Sequence, residues 1–245
     1  MLNNRPIVLS IAGFDPSGGA GILADIKTFE QHKVNGFGAC TALTCQNDSE
    51  FHKLEWVDDK LLFEQISTLI NKFEISAVKI GIFKSLSLLK EVILQVKKAQ
   101  KEVKIVVDPV LKATAGFIIQ KDLNPDHLKF IIENSTVITP NYNELCFLEE
   151  VLNANVTQYG NILIKGGHNP ERPGIDILFE NKRATEITSG VEHVFQKHGS
   201  GCVLSSSIAA RLALGYNLLE SCQLAKTYTE TFLNSNSTLL GYHNL

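Results

Sequence analysis

A single α/β domain built on a mostly parallel sheet is the architecture that this sequence predicts, on three observations. Short β-branched apolar runs alternate with longer segments of helical periodicity, the pattern of repeated strand-helix-strand units. Several runs are apolar almost throughout, as strands covered by helices on both faces must be. The 245 residues, 44% of them hydrophobic, suffice for one large core, so one domain is expected over 1–245.

In chain order, the strands expected are "IVLSIA" (7–12), "ISAVKIG" (75–81), "VKIVVD" (103–108), "STVITP" (135–140) and "NILIKGG" (161–167). Each is short and rich in Val and Ile, which suit a pleated, buried surface. The segments between and after them space apolar residues at helical intervals, predicting helices over 20–32, 58–73, 86–99, 124–133, 142–152, 201–214 and 218–233. Between 171 and 197 the pattern changes: "DILFENKRATEIT" reads as two strands around a turn at Asn181-Lys182, a hairpin excursion rather than a new domain.

Charge and cysteine content narrow the partners. The net charge is −3 and the pI about 6.2, which argues against broad attraction to nucleic acid or an anionic membrane and points to a small molecule. Five cysteines with no CxxC pair suggest neither a disulfide framework nor a zinc knuckle, so a reducing cytoplasm is expected. No long apolar run predicts a signal peptide or a membrane span. The histidines fall into no H-x-x-x-H or H-E-x-x-H spacing, which excludes a protein-ligated metal site of that kind.

Ligands of open α/β sheets bind beyond the carboxyl ends of the strands, so the residues after each run are the candidates. "GFDPSGGAGILADIKTF" (13–29) is a glycine-rich loop opening a helix, and it is neither of the usual nucleotide-loop fingerprints. It reads as a close approach of backbone to ligand or as an ordinary tight turn, with Asp25 early in the helix able to serve the dipole or a ligand. Asp108 ends an apolar strand, where a carboxylate can bind Mg2+ through water, polarise a substrate or cap the next helix. Asn141 and Glu144, spaced i, i+3 after a strand, read equally as a ligand-facing pair or as a capping box. Lys165 follows another strand and suits a phosphate, or simply a surface turn.

"HGSGC" (198–202) places Gly199, Ser200 and Gly201 at a helix start, where successive backbone N–H groups make an anion hole. Cys202 at that terminus is expected to have its pKa lowered from about 8.5 and to act as a base or hydrogen-bonding partner, the alternative being a small buried filler.

Taken together, "IAGFDPSGGAGILADIKTF", "TALTCQN", "VKIG", "VVDPV", "ITPN..E", "IKGGH" and "HGSGC" resemble, in order and over nearly the whole chain, the hydroxymethylpyrimidine kinase/phosphomethylpyrimidine kinase family of thiamine biosynthesis, within the ribokinase-like superfamily. The resemblance implies a three-layer α/β/α fold and a homodimer. It also implies an enzyme that uses ATP and Mg2+ to phosphorylate 4-amino-5-hydroxymethyl-2-methylpyrimidine, and then its monophosphate. By the same resemblance Gly13, Asp25, Gln46, Ile82 and Val110 would hold the pyrimidine. Asp108 and Glu144 would govern Mg2+ and phosphate geometry, Asn141 and Lys165 would serve the nucleotide, and Gly199 to Cys202 would form the anion hole, with Cys202 as base. The sequence departs from the family at "KATAG" (112–116), where Thr114 stands in place of a lysine, and in a short stretch before "ILIKGGH". Two other readings share the pocket: a pyridoxal or pyridoxine kinase-like activity, and a pyrimidine-binding protein without turnover.

Overall fold

The computed structural model describes residues 5–110, 123–168 and 174–244. Its elements in chain order are β1 (Ile7–Phe14), α1 (Gly21–Gln31), β2 (Asn35–Gln46), β3 (Phe51–Trp56), α2 (Asp59–Ile70), β4 (Ile75–Ile80), α3 (Leu86–Ala99) and β5 (Lys104–Val107). There follow α4 (Pro125–Asn134), β6 (Val137–Ile138), α5 (Tyr142–Leu152), β7 (Ile162–Ile164), β8 (Asp176–Glu180), β9 (Arg183–Ile187), α6 (Ser200–Ala213) and α7 (Leu218–Leu233).

One sheet carries all the described strands in the order β3-β2-β1-β4-β5-β6-β7-β8-β9. From β2 to β7 neighbours run parallel, while β3 at one edge and the β8–β9 hairpin at the other are antiparallel. The hairpin turns at Asn181 and Lys182, whose φ values of 50° and 65° are those of a tight primed turn. The 3₁₀ turn Val156–Gln158 is the only helical piece described between α5 and β7.

Side chains alternate between two apolar layers. Leu9, Val78, Ile105, Ile138 and Ile162 pack on one face with α2, α3, α4 and α5. Val8, Ala77, Val106, Val137 and Leu163 pack on the other with α1, α6 and α7. The sheet is thus covered on both sides, giving three layers, and α6 crosses beneath β1, β4 and β5.

The expected helices all form. The expected strands at 135–140 and 161–167 shorten to β6 and β7, because the polar residues at their ends leave the ladder to build loops. Periodicity missed β2 and β3 altogether. The sequence of β2, "NGFGACTALTCQ", is poor in large apolar residues for a spatial reason: a Cβ on Gly36 would come within 2.8 Å of Ile26, and one on Gly38 within 3.0 Å of Ile22. Helix α1 packs so closely on this strand that glycine is what fits. Among the described residues, no helix is long and apolar enough to cross a membrane.

Candidate active site

Period-2 alternation carries a row of polar residues onto the α6 face. Since Val8, Ala77, Val106, Val137 and Leu163 face α6, so do Ser10, Lys79, Asp108, Thr139 and Lys165, two positions further along their strands. Four of them, Ser10, Lys79, Asp108 and Thr139, are buried. Because the strands are parallel, these residues gather at one end of the sheet.

Asp108, Lys165 and Glu144 form the charged centre. Lys165 Nζ lies 2.7 Å from Asp108 Oδ1 and 3.7 Å from Glu144 Oε2. Thr139 Oγ1 donates to Asp108 Oδ1 at 3.2 Å and Ser205 Oγ to Oδ2 at 3.2 Å. Burial alone would raise the Asp108 pKa, but the Lys165 and Lys79 ammonium groups outweigh it and hold the carboxyl below its ordinary value. Glu144 goes the other way: burial raises its pKa, Asp108 adds repulsion, and Lys165 only partly offsets them. Lys165 stays above its ordinary value despite burial, because both carboxylates face it.

Asn141 and Glu144 make the capping box in full. Asn141 Oδ1 accepts from Glu144 N at 2.9 Å, and Glu144 Oε2 accepts from Asn141 N at 2.7 Å. The two readings of this pair are therefore compatible, since the cap is what aims the Glu144 carboxylate at Lys165. Lys165 is itself held by its backbone N–H, which donates to Pro140 O at 2.8 Å.

The N-terminus of α6 closes over this centre. Gly199 caps the helix in the left-handed region, at φ 74°, and a Cβ there would stand 1.9 Å from Gly19 O, so only glycine fits. Gly201 rides above the charged pair: a Cβ on it would meet Lys165 Nζ at 3.5 Å and Asp108 Oδ2 at 3.8 Å. No side chain caps α6, which leaves its first amides directed past its own end. Four predicted residues, Asp108, Lys165, Glu144 and Gly201, thus converge.

Cys202 departs from expectation. Its pKa is raised rather than lowered, because burial outweighs the ammonium of Lys79, and Asp25 and Asp108 add negative charge nearby. The helix terminus is present, but desolvation dominates.

Asp25 is likewise not a free acceptor. It has no exposed surface, and its carboxylate accepts from Lys79 Nζ (2.9 Å to each oxygen), Ser10 Oγ (2.5 Å) and Ser206 Oγ (2.6 Å). Expected against the pyrimidine, it is enclosed in this structure, with both oxygens occupied by these donors. Gly13 and Ile82 do adjoin, since a Cβ on Gly13 would lie 3.0 Å from Ile82 Cγ2. Val110 is half-buried, and its N–H turns back to Asp108 O at 2.8 Å. Gln46 lies apart, at the end of β2. Because β1 stops at the Phe14–Leu43 pair, Thr44 to Gln46 run three residues, about 10 Å, beyond β1 and pair there with β3, Gln46 opposite Phe51. The "KATAG" departure, with Thr114 and Lys112, falls outside the described residues.

Sequence reasoning missed Lys79, Thr139, Ser205 and the Asp15–His198 pair. The signal for Lys79 was available, a charge inside an otherwise apolar strand. Thr139 and Ser205 carried no such mark, and Asp15 and His198 lie 183 positions apart, meeting at 2.8 Å.

Comparison with known proteins bears on the family and the fold. A family model described as phosphomethylpyrimidine kinase matches residues 15–244. A relative from Aquifex aeolicus named hydroxymethylpyrimidine/phosphomethylpyrimidine kinase is 34% identical, over 96% of this chain and 98% of its own. The crystal structure of phosphomethylpyrimidine kinase from Clostridium difficile 630 superposes with a TM-score of 0.74 at 31% identity, covering 92% of this chain and 98% of that one. An ADP complex of Bacillus subtilis pyridoxal kinase gives a TM-score of 0.79 at 26% identity, over 94% of this chain and 92% of that one.

Proposed function

The chain belongs to the phosphomethylpyrimidine kinase family, and from that premise we propose that it transfers the γ-phosphoryl group of ATP to 4-amino-5-hydroxymethyl-2-methylpyrimidine and then to the monophosphate. The observation that carries this reading is the convergence of Asp108, Lys165 and Glu144 under the uncapped N-terminus of α6. A lysine between two carboxylates, roofed by helix amides, is suited to a phosphate chain and its metal.

In each transfer the substrate oxygen forms a bond to the γ-phosphorus as the bond from that phosphorus to the β-bridging oxygen breaks, releasing ADP. Lys165 meets phosphate oxygens as a point charge, and the amides of Gly199 to Cys202 receive the oxygens of the moving phosphoryl group. In the first transfer Cys202 takes the proton of the attacking hydroxymethyl group; in the second the nucleophile is a phosphate oxygen of the monophosphate. With its thiol pKa raised, only a small fraction is thiolate near neutral pH, which suits a loose transition state in which nucleophile activation matters less than charge neutralisation. Asp108 and Glu144 offer the hard carboxylate oxygens that Mg2+ takes, so the donor set fits it. Asp108 and Glu144 would hold Mg2+, which would supply positive charge to neutralise the transferred group.

Gly13, Ile82 and Val110 form one wall for the pyrimidine, and Gln46, at the end of β2 beyond β1, contacts it from the β2–β3 edge once the substrate is bound. Asp25 and Lys79 support that floor from below. Asn141 serves the nucleotide through the Glu144 that it caps. Around this site we place one domain over 1–245, a homodimer and a cytoplasmic location; five unpaired cysteines support a reducing compartment.

The test is ATP-to-ADP turnover with Mg2+ and, in parallel, the hydroxymethylpyrimidine, its monophosphate and pyridoxal. Turnover on the first two is expected. Turnover on pyridoxal alone would make the chain a pyridoxal kinase, and tight pyrimidine binding without any turnover would make it a binding protein.

A further inference from the structure

We propose that Asp15 and His198 form a latch that joins the β1–α1 loop to the anion-binding turn, making both of them positioning residues for phosphoryl transfer. The proposal rests on the kinase reading above for its effect on turnover, but the latch itself stands on geometry.

His198 Nε2 lies 2.8 Å from Asp15 Oδ2, with the Asp15 side chain 1% exposed and that of His198 10%. The same carboxylate organises its own loop: Oδ1 accepts from Ser17 N and Ser17 Oγ, each at 2.8 Å, and Oδ2 accepts from Ala20 N at 2.8 Å. Ala20 is the N-cap of α1, which has no side-chain cap, and Asp15 satisfies the N–H of that N-cap residue from five residues away. One buried carboxylate therefore holds the N-cap of α1 and, through His198, the residue that precedes the N-cap of α6. Burial alone would raise its pKa, but the His198, Ser17 and Ala20 bonds outweigh that and keep it an acceptor.

The glycines interlock in the same place. A Cβ on Gly19 would stand 2.5 Å from the His198 ring, and one on Gly199 would stand 1.9 Å from Gly19 O and 2.8 Å from Ala20 Cα. Neither loop can shift without the other. The His198 backbone N–H donates to Leu239 O at 2.9 Å, which leaves the ring as the part that reaches across. The function of such a lock is registration. The substrate-side loop and the amides that receive the phosphoryl group must keep a fixed relation, because a misplacement of about 1 Å costs on the order of 10²-fold in rate.

The test uses the whole protein with H198A, H198Q and D15N, reading kcat and KM for both substrates together with amide hydrogen exchange in the peptide covering 15–21. His198→Ala is expected to lower kcat on the order of 10²-fold while each KM stays within about threefold, since binding groups are retained. His198→Gln, whose amide reaches the position of Nε2, is expected to recover turnover to within about tenfold of the wild type. Exchange at 15–21 should accelerate by about tenfold or more in H198A and stay near wild type in H198Q.

Wild-type exchange at 15–21 in a folded H198A overturns the latch, and so does a glutamine variant no better than alanine. If H198A does not fold, D15N decides: faster exchange at 198–203 supports the latch and unchanged exchange refutes it. Should the wild type turn over no substrate, the kinase reading fails, and the exchange measurement still decides the latch.

Discussion

Cys202 illustrates how one residue's chemistry is set by what surrounds it. A thiol at a helix N-terminus is expected to ionise easily, and the helix terminus was legible in "HGSGC" because glycines and a following helical pattern are local signals. Burial is not local. Burial raises this thiol's pKa, and the groups around it, Gly21, Asp25, Lys79 and Asp108, lie 94 to 181 positions away, beyond anything that spacing reports. The consequence is an alkaline dependence. The thiolate is the basic form and its fraction grows with pH, so wild-type kcat is expected to keep rising above about pH 8.5. In Cys202→Ala that rise disappears and kcat falls on the order of 10²-fold, with pyrimidine affinity little changed. Steady-state kinetics from pH 6 to 10 check this, and a parallel loss of binding and melting temperature would return Cys202 to the role of filler.

Four elements meet on the Asp25 carboxylate: α1 supplies it, β4 brings Lys79, β1 brings Ser10 and α6 brings Ser206. Lys79→Met leaves a fully enclosed carboxylate without its counter-charge, and removing one partner of a buried pair costs about 3–5 kcal/mol. Urea unfolding should show that loss, and a shift under about 1 kcal/mol would mean that the pair is replaced by other contacts. The joint was half visible beforehand. Helices α1 and α6 and strands β1 and β4 were all legible, because their apolar residues keep regular periods. Which polar residues would share one carboxylate was not, since Ser206 looked like part of a serine run and Asp25 like a partner of the helix dipole or of a ligand. Strand β2 escaped for a related reason: its glycines, read alone, suggest a loop, and only the approach of α1 explains them.

At the scale of the whole molecule, acid sensitivity follows from a second buried cluster, on the side of α1 and α6 away from the phosphate centre. His32 Nε2 lies 2.7 Å from Ser207 Oγ, its ring tilts against Tyr228 at 4.6 Å, and burial, with Arg211 beside it, lowers its pKa to about 4. His243 is lowered to about 4 as well, by burial and Lys27. Both are neutral when folded near pH 5, whereas the unfolded chain protonates them near 6.5. The unfolded state then binds more protons, so stability falls as pH drops from about 6.5 towards 4. For His32 the loss is on the order of 3 kcal/mol. Urea midpoints at pH 7 and pH 5 should differ markedly in the wild type and less in His32→Phe; an equal fall in both would place the acid dependence elsewhere. This cluster could not be read from the sequence, where the histidines stand 211 positions apart and neither belongs to a motif.

The order in which the parts are made has its own consequence. Strand β1 lies in the interior of the sheet between β2 and β4, and its loop carries Asp15, yet the partner of Asp15 is His198, and His198 in turn is held by Leu239. A ribosome therefore releases most of the sheet before the residues that complete the phosphate-binding end exist. Nascent chains halted short of α6 should compact around β1 to β7 but leave the Lys79–Asp25 charges without Ser206 and the Asp108 carboxylate without Ser205. During translation this protein passes through a stage in which its most polar interior surface lies open to water.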